Sequence, residues 1–529
     1  MDGGYPWLGA PRGVAMAGKG MVAAAHPLAA EAGLAVLRAG GNAADAALAT
    51  AATLVVVEPY MSHLGGDAFV QYHDARRRAT VAINASGRAP RAATLDAYRD
   101  GIPPRGIRSA TVPGIVDGWL TLHERHATWP LDRLFATAIA YAEDGFPVSA
   151  RLAAYTATAR DLLSQTPASA AHFLPAGRPP RPGEVLRQPA VGRTLRAIAA
   201  GGREAYYGGA LAEALVRASR ELRGLLTLDD LASHRSEVLP PLVGGYRGYT
   251  ITEQPPVSQG FIVLATLHVA ERFDLGRYEP LSAQSVHVLT EACKLAFADR
   301  LAYAGDPAHV RWPLDALLDE HYAARRAAHI DPERAQVHDA GEPGGGDTTS
   351  FCVVDRDGNA ASFIQSLFGG FGSGVVLGDT GILLNNRLTG FNTQPGHANC
   401  LAPGKRPIHT LNTWMAFRDG ALRYLGGTRG AFLQVQTNAQ MISHLLDYGM
   451  TLQEAMEAPR WGLEAGLALR IESRAPAATL AGLRRRGHDV HLAPAWWDGC
   501  TAQLIGVDAQ SGAYLGAGDP RAESHVAAW

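Results

Sequence analysis

The pair Asp347-Thr348 is the place in this chain where residue type and spacing most directly suggest chemistry. A glycine-rich stretch at 341–346 runs straight into Thr348-Thr349 and an apolar, strand-like pattern. An internal threonine is a weak nucleophile, but a cut before it frees an α-amine that can serve as its general base. The glycines would let the hydroxyl reach the preceding carbonyl. From spacing alone, a flexible loop between two domains remains the competing interpretation.

The sequence lacks several common catalytic and metal-binding motifs. The sequence has no GxSxG elbow, no Walker loop and no HExxH motif. His123 and His126 lie three apart in a helix-like segment without an evident third ligand. The turn Asp355-x-Asp357-Gly358 lacks the spacing and terminal glutamate of a calcium loop. The four cysteines are widely separated and form no CxxC pair. We therefore expect no metal, no cofactor and no disulfide framework.

Composition narrows the class of protein. The 529 residues carry 48 Lys+Arg against 50 Asp+Glu, a net charge of -2, which lacks the basic footprint of a nucleic-acid binder. Charged residues make up 19% and hydrophobic residues 47%, which argues against disorder. The N-terminus has no basic start followed by an apolar run, and the longest apolar stretch, 46–57, is shorter than the ~20 residues of a membrane span. These features predict a cytoplasmic protein that binds neither nucleic acid nor membrane.

The elements that must position Asp347-Thr348 can be predicted from periodicity. The length allows three or four domains, or one large core. Helical spacing covers 27–38 and 43–57, with Gly40-Gly41 as a C-cap and Asn42 as an N-cap between them. Hairpin patterns recur at 69–84, 348–366, 418–420 and 503–515, with helical patterns at 115–235 and 431–448. Strand hairpins alternating with helices predict stacked antiparallel sheets covered by helices.

A set of motifs in fixed order gives the chain a family resemblance. It resembles the gamma-glutamyltransferase (gamma-glutamyltranspeptidase) family of N-terminal-nucleophile (Ntn) hydrolases over nearly its whole length. The motifs include LGGDAF, GILLNN, LAPGKRP and GDPR. The segments that carry the resemblance are 21–59, 64–69, 110–119, 346–375, 381–386, 401–407 and 518–521.

The resemblance implies both a fold and a maturation step. The fold is an α+β, four-layer αββα sandwich of two antiparallel sheets between helical layers. The precursor would cut itself between Asp347 and Thr348 into a large subunit, 1–347, and a small subunit, 348–529. Together the subunits would form one interleaved domain, and two such heterodimers could pair. No cofactor is implied.

The resemblance also implies catalytic roles for particular residues. The Thr348 hydroxyl would attack an amide carbonyl with its own α-amine as base, and water or an acceptor amine would then release the acyl group. Ser366 falls where the family has a hydroxyl that orients this amine. Gly430-Ala431 fall at the oxyanion Gly-Gly pair, within the divergent stretch LGGTRGAF. Alanine is compatible with that role because the donors are backbone amides.

The substrate-recognition positions depart most from the family pattern. Arg387 and Gly390 replace the Gln and Asp that hold a substrate α-ammonium, and His409-Thr410 replace a pair of serines. Arg88, in SGRAP, is shifted by two positions from the arginine that grips an α-carboxylate. This pattern resembles a divergent branch that includes an oxamate amidohydrolase type. Arg88, Arg387, His409 and Thr410 would then line an anion-binding pocket.

Several alternatives stay open at the level of sequence. Arg88 could be a structural ion-pair partner, Arg387 could face solvent or pair with an acid, and His409 could be a core histidine.

We expect a small-molecule amide that bears a carboxylate as the substrate. The rival hypotheses are a hydrolase or transpeptidase of glutathione metabolism, an acylase or C–C bond hydrolase, and an uncleaved, non-enzymatic homologue.

Overall fold

The computed structural model describes residues 12–338 and 347–529, so the glycine-rich approach at 341–346 lies outside the described residues. The strands within the described residues are β1 Ala15–Ala17, β2 Met21–Ala24, β3 Asp67–Asp74, β4 Ala79–Ala85, β5 Phe146–Pro147, β6 Val185–Leu186, β7 Glu237–Leu239, β8 Leu242–Tyr246, β9 Tyr249–Glu253, β10 Asp347–Val354, β11 Ala360–Phe368, β12 Thr413–Arg418, β13 Ala421–Thr428, β14 Trp461–Leu463, β15 Ala468–Glu472, β16 Asp489–Ala493, β17 Ala502–Val507, β18 Tyr514–Gly518 and β19 His525–Ala528.

The α-helices in the same parts of the chain are α1 Pro27–Arg38, α2 Ala43–Val57, α3 Ile115–His126, α4 Leu131–Asp144, α5 Ala150–Thr158, α6 Arg160–Leu163, α7 Pro167–Phe173, α8 Pro189–Tyr207, α9 Ala210–Glu221, α10 Leu228–Ala232, α11 Gly260–Ala270, α12 Ala283–Tyr303, α13 Leu314–Leu317, α14 Glu320–Ala327, α15 Leu433–Leu446, α16 Leu452–Glu457 and α17 Ala477–Arg485. None of them qualifies as a candidate membrane span.

Two large antiparallel sheets form the centre of the molecule. Sheet A has the order β1-β18-β17-β13-β12-β9-β8, and sheet B has the order β19-β2-β10-β11-β3-β4-β7. Their inner faces pack together through apolar side chains that include Cys352, Met415 and Ile505. Polar contacts also cross between the sheets, because Ser362 Oγ donates to the Gly426 carbonyl over 2.9 Å. The two sheets therefore share one buried interface.

Helices cover the outer face of each sheet. On sheet B the core includes side chains from α1, α2, α3, α4 and α8, and on sheet A it includes side chains from α11, α12, α15 and α16. The order of layers is therefore helix, sheet, sheet, helix. This arrangement confirms the predicted α+β sandwich. Three apolar clusters accordingly lie between sheet B and its helices, between the two sheets, and between sheet A and its helices.

Local capping explains why the first two helices match their predicted bounds. Pro27 occupies the first turn of α1, where its missing N–H costs nothing, and the His26 side chain accepts from the Leu28 N–H. Asn42 and Asp45 form a reciprocal capping box at the start of α2. Every residue of α2 is buried, so this helix packs against other parts of the molecule on all its faces.

The segments before and after residue 347 contribute alternately to both sheets. In sheet B, β2, β3 and β4 come from the first segment, whereas β10, β11 and β19 come from the second. Strand β10 lies between β2 and β11, so Thr348 is near the beginning of a central strand. The register of β10 against β11 shifts between Asp347 and Thr349. A central strand with neighbours on both sides holds its side chains in fixed positions.

Candidate active site

Thr348 and Ser366 lie side by side on neighbouring strands of sheet B. Thr348 is buried, with 1% of its surface exposed, and its Oγ1 donates to Ser366 Oγ over 3.2 Å. Ser366 Oγ also accepts from the Phe368 N–H over 2.8 Å. The side chains of Ser350 and Cys352, two and four residues along β10, face sheet A, and strand alternation places Thr348 on that same side. The hydroxyl pair predicted from sequence is thus brought together between the two sheets.

Gln434, in the first turn of α15, is a neighbour of Thr348 that the sequence analysis missed. Its side-chain amide lies 3.3 Å from Thr348 Oγ1. When the amide nitrogen donates to the carbonyl oxygens of Thr410 (2.8 Å) and Thr428 (3.3 Å), the amide oxygen faces the threonine hydroxyl. Gln434 therefore connects the candidate nucleophile with strand β13 and the 409–410 segment. Only its position, three residues after Ala431, could have indicated it.

The turn between β13 and α15 leads directly into the helical turn that carries Gln434, the neighbour of Thr348. Gly430 has φ +120° and Ala431 has φ +50°, so both adopt left-handed backbone conformations. Their carbonyls accept from the N–H groups of Leu433 and Gln434, which begin the helix. Among the described residues, the N–H groups of Gly430 and Ala431 have no acceptor. Two free N–H groups at the start of a helix can stabilise a developing negative charge.

Arg387 is fully buried against Asp67, the strand partner of Ser366, and against Phe368. Its Nε lies 3.2 Å from Asp67 Oδ2, and its guanidinium carbon lies 4.4 Å from the centre of the Phe368 ring. Within the described residues, Nη1 and Nη2 have no hydrogen-bond partner. Burial lowers the pKa of Arg387 to about 10, and the Asp67 carboxylate opposes this shift, so the side chain is charged at neutral pH. Of the sequence-level alternatives, pairing with an acid is observed, and facing solvent is wrong.

Asp67 is the acid that holds this arginine, and it also contacts His409. Asp67 Oδ2 lies 3.3 Å from His409 Nε2, and Oδ1 accepts from the Gly87 N–H over 2.7 Å. Burial raises the pKa of Asp67, but contacts with His409, Arg387 and the Gly87 N–H outweigh it, and the net pKa is lowered. Burial and the nearby Arg387 charge lower the pKa of His409 to about 4. The cluster therefore combines a carboxylate, a guanidinium and a neutral imidazole.

The other two predicted binding residues are placed differently. Arg88 Nη1 donates to the Gly404 carbonyl over 3.1 Å and lies 3.5 Å from Asp306, and Nη2 lies 3.6 Å from Glu237. Arg88 thus makes the ion pairs that the sequence analysis kept as its structural alternative. Thr410 is buried in the 409–410 segment, and its carbonyl accepts from Gln259 over 3.0 Å. A direct role of either side chain in substrate binding stays a prediction.

A cluster far from this site contains the side chains best suited to a cation within the described residues. Atoms of His287, Glu291 and His488 that could serve as ligands lie within 4.8 Å of one another. They already contact protein groups: His287 Nδ1 lies 2.8 Å from His488 Nε2, and Lys294 Nζ donates to Glu291 over 2.6 Å. The lysine charge also opposes a cation. The cluster is therefore a closed polar network between α12 and the segment before β16.

Comparison with known proteins gives consistent relatives. The family model described as gamma-glutamyltranspeptidase matches residues 29–529. The chain is 40% identical over 514 residues to the glutathione hydrolase-like YwrD proenzyme of Bacillus subtilis, covering 96% of this chain and 97% of the relative. It is 39% identical over 523 residues to the oxamate amidohydrolase proenzyme of Klebsiella pneumoniae, covering 96% and 98%. The structure of cephalosporin acylase from Bacillus halodurans superposes with a TM-score of 0.94 at 36% identity, covering 99% and 98% of the two chains.

Proposed function

Because the chain belongs to the gamma-glutamyltranspeptidase family, an amide-hydrolase family of self-processing proenzymes, we propose that Thr348 is its nucleophile and that its substrate is a small amide bearing a carboxylate. The observation that carries the proposal is the position of Thr348. Its hydroxyl bonds Ser366, and Asp67 lies directly opposite Ser366 on the next strand. Asp67 in turn holds the buried Arg387, whose two terminal nitrogens have no partner within the described residues.

Self-cleavage would create the active form. The Thr348 hydroxyl attacks the carbonyl carbon of Asp347, and the peptide C–N bond breaks as the nitrogen takes up a proton. Water then hydrolyses the resulting ester, which leaves a carboxylate on Asp347 and a free α-amine on Thr348. The products are the large subunit, 1–347, and the small subunit, 348–529, which remain joined because both contribute strands to each sheet.

Substrate hydrolysis would repeat the same chemistry on an external amide. The free α-amine takes the proton of the Thr348 hydroxyl, which attacks the amide carbonyl and expels ammonia or an amine. Water hydrolyses the acyl-enzyme and regenerates the hydroxyl. The N–H groups of Gly430 and Ala431 would hold the oxyanion, and Ser366 would orient the amine.

The choice of a carboxylate-bearing substrate rests on Arg387. A buried guanidinium with two unpartnered nitrogens is costly, and a carboxylate that accepts two parallel bonds removes that cost. No charge at Gly390 is available to hold an α-ammonium. The name of the Klebsiella pneumoniae relative, an oxamate amidohydrolase, agrees with an acid of this kind.

Three other functions are kept as rivals. Hydrolysis or transfer of γ-glutamyl groups is supported by the name of the Bacillus subtilis relative, and acylase action by that of the Bacillus halodurans structure. An uncleaved, non-enzymatic protein is the third. Location in the cytoplasm and pairing of two heterodimers stay predictions. Size-exclusion chromatography with light scattering tests the latter.

Cleavage and substrate class can be tested together. Denaturing electrophoresis and intact-mass measurement should give two chains, 1–347 and 348–529, for the natural protein and for Thr348→Ser. Thr348→Ala should give one uncleaved chain, because it lacks a nucleophile. The cleaved protein should release ammonia from oxamate at least about tenfold faster than from oxamide, its neutral analogue, since about 1.4 kcal/mol of Arg387 binding energy gives that ratio. Efficient turnover of γ-glutamyl anilides without turnover of acidic amides would overturn the proposal.

A further inference from the structure

Asp67 makes three contacts that together fix the orientation of Arg387. One carboxylate oxygen accepts the Gly87 N–H, and the other lies 3.2 Å from Arg387 Nε and 3.3 Å from His409 Nε2. All of these groups are buried. Because Asp67 contacts only Nε, the two terminal nitrogens of the guanidinium remain unpartnered within the described residues. An arginine held through Nε presents those nitrogens as a fork that matches a carboxylate.

Strand register places Asp67, which holds this fork, opposite the residue that bonds the reacting hydroxyl. Asp67 is the direct partner of Ser366 in the β3–β11 ladder, and directly opposed residues point to the same face of a sheet. Ser366 in turn bonds Thr348. Asp67, Ser366 and Thr348 thus form a row across three adjacent strands, β3, β11 and β10. Arg387 joins the end of this row from the segment that follows GILLNN.

His409 adds no positive charge beside Asp67 at neutral pH. Burial and the Arg387 charge keep the His409 imidazole unprotonated at neutral pH. The Asp67 carboxylate therefore faces one cation, Arg387. Since its oxygens already contact Gly87, Arg387 and His409, it is poorly placed to bind a substrate ammonium. The group offered to a substrate is the guanidinium, which suits an anion.

We propose that Asp67 is a positioning residue that aims Arg387 at the substrate carboxylate and so selects amides that carry an acid and lack an α-ammonium. This inference rests on the proposed function and deepens it. Asp67 does not contact the reacting atoms. Without its carboxylate, the Arg387 side chain would keep its charge but lose the contact that sets its direction.

The test is a double-mutant cycle on the cleaved enzyme with oxamate and oxamide. Asp67→Asn should raise KM for oxamate at least about tenfold and change kcat by less than about threefold, because the lost interaction is made mainly in binding. The ratio of kcat/KM for oxamate to that for oxamide should therefore fall at least about tenfold, because oxamide offers Arg387 no carboxylate. In an Arg387→Gln background, Asp67→Asn should have no further effect on oxamate, since Asp67 acts through that arginine.

Other outcomes separate this inference from the proposed function. Equal losses for oxamate and oxamide, or additive effects in the cycle, would overturn the role of Asp67 while leaving Thr348 chemistry intact. A selective loss of γ-glutamyl turnover in Asp67→Asn would also overturn it, because Asp67 would then bind an ammonium. If Asp67→Asn yields too little folded protein, Asp67→Glu replaces it in the test. We expect Asp67→Glu to raise KM for oxamate by the same factor without a matching rise for oxamide. Failure of self-cleavage in the natural protein would instead refute the proposed function.

Discussion

Ser366 contacts two groups that matter to the proposed reaction. Its hydroxyl oxygen accepts one hydrogen bond from the Thr348 hydroxyl over 3.2 Å and another from the Phe368 N–H over 2.8 Å. The Ser366 side chain is fully buried. In the cleaved enzyme the new α-amine belongs to the residue whose hydroxyl already bonds Ser366, so we expect Ser366 to lie close to that amine.

Removal of this hydroxyl should affect the chemistry more than the fold. We expect Ser366→Ala to slow self-cleavage and to lower kcat about tenfold or more, because a buried hydrogen bond of about 1.5 kcal/mol to the reacting group is lost. Ser366→Thr should retain most of the activity, since it keeps the hydroxyl and suits a strand.

The matched control is Ser362→Ala on the same strand. Ser362 is equally buried and donates to the Gly426 carbonyl over 2.9 Å, away from Thr348. Its loss should lower stability by about 1 kcal/mol without changing kcat. Time courses of cleavage on denaturing gels and ammonia release provide the measurements. Equal kinetic effects of the two alanine variants would contradict the role given to Ser366.

At the scale of elements, the turn between β13 and α15 connects backbone strain with the oxyanion site. Gly430 has φ +120°, and a Cβ added there would overlap the carbonyl oxygen of Gly499. Ala431 has φ +50°, a left-handed conformation that costs an L-residue about 1 kcal/mol. The turn leaves the N–H groups of Gly430 and Ala431 without an acceptor within the described residues.

The two substitutions in this turn should therefore differ strongly in their effect on kcat. Gly430→Ala should displace the turn and reduce kcat about 100-fold, the usual loss for one oxyanion donor. Ala431→Gly should raise the melting temperature slightly or leave it unchanged, because strain relief offsets added chain entropy, and kcat should stay within about threefold. Thermal unfolding and steady-state kinetics of both variants measure this. A larger kcat loss in Ala431→Gly than in Gly430→Ala would contradict the assignment.

At the scale of the whole molecule, buried histidines link stability to pH. Burial lowers the pKa of all eight buried histidines of the described residues below the usual 6.5, to about 3 or about 4 in five cases. They are His26, His63, His73, His234, His287, His409, His444 and His488. The unfolded chain binds more protons than the folded chain between about pH 4 and 6.5, so stability falls as pH falls through this window. Burial raises the pKa of Glu58 and Glu253, so these two glutamates favour the folded state as the pH falls. Their effect opposes that of the histidines, which are more numerous.

We therefore expect a lower melting temperature at pH 5.5 than at pH 7.5. The net uptake on unfolding should be at least about two protons per molecule. His234→Phe is the matched variant, because neither ring nitrogen of His234 has a partner within the described residues and its ring stacks on Tyr207. This variant should show a weaker pH dependence. A melting temperature that stays constant or rises on acidification would contradict the expectation.

The sequence by itself determined the family and those elements whose signals are local. The bounds of α1 and α2 were predicted correctly because Pro27, Asn42 and the Gly40-Gly41 pair act within a few residues of themselves. The family and the αββα layers were also predicted correctly, since ordered motifs extend along the whole chain. The candidate pair Thr348 and Ser366 came from the same motifs.

Only the tertiary structure decided what surrounds that pair. Asp67 and Arg387 are 320 positions apart, and nothing local to either residue indicates that they meet. Their contact depends on how β3, β11 and the segment after GILLNN pack together, and their burial sets the charge states of Arg387 and His409. The same packing turned Arg88 toward Glu237 and Asp306 and brought Gln434 to Thr348. Charge and direction at the site are long-range properties, which residue types and spacing do not contain.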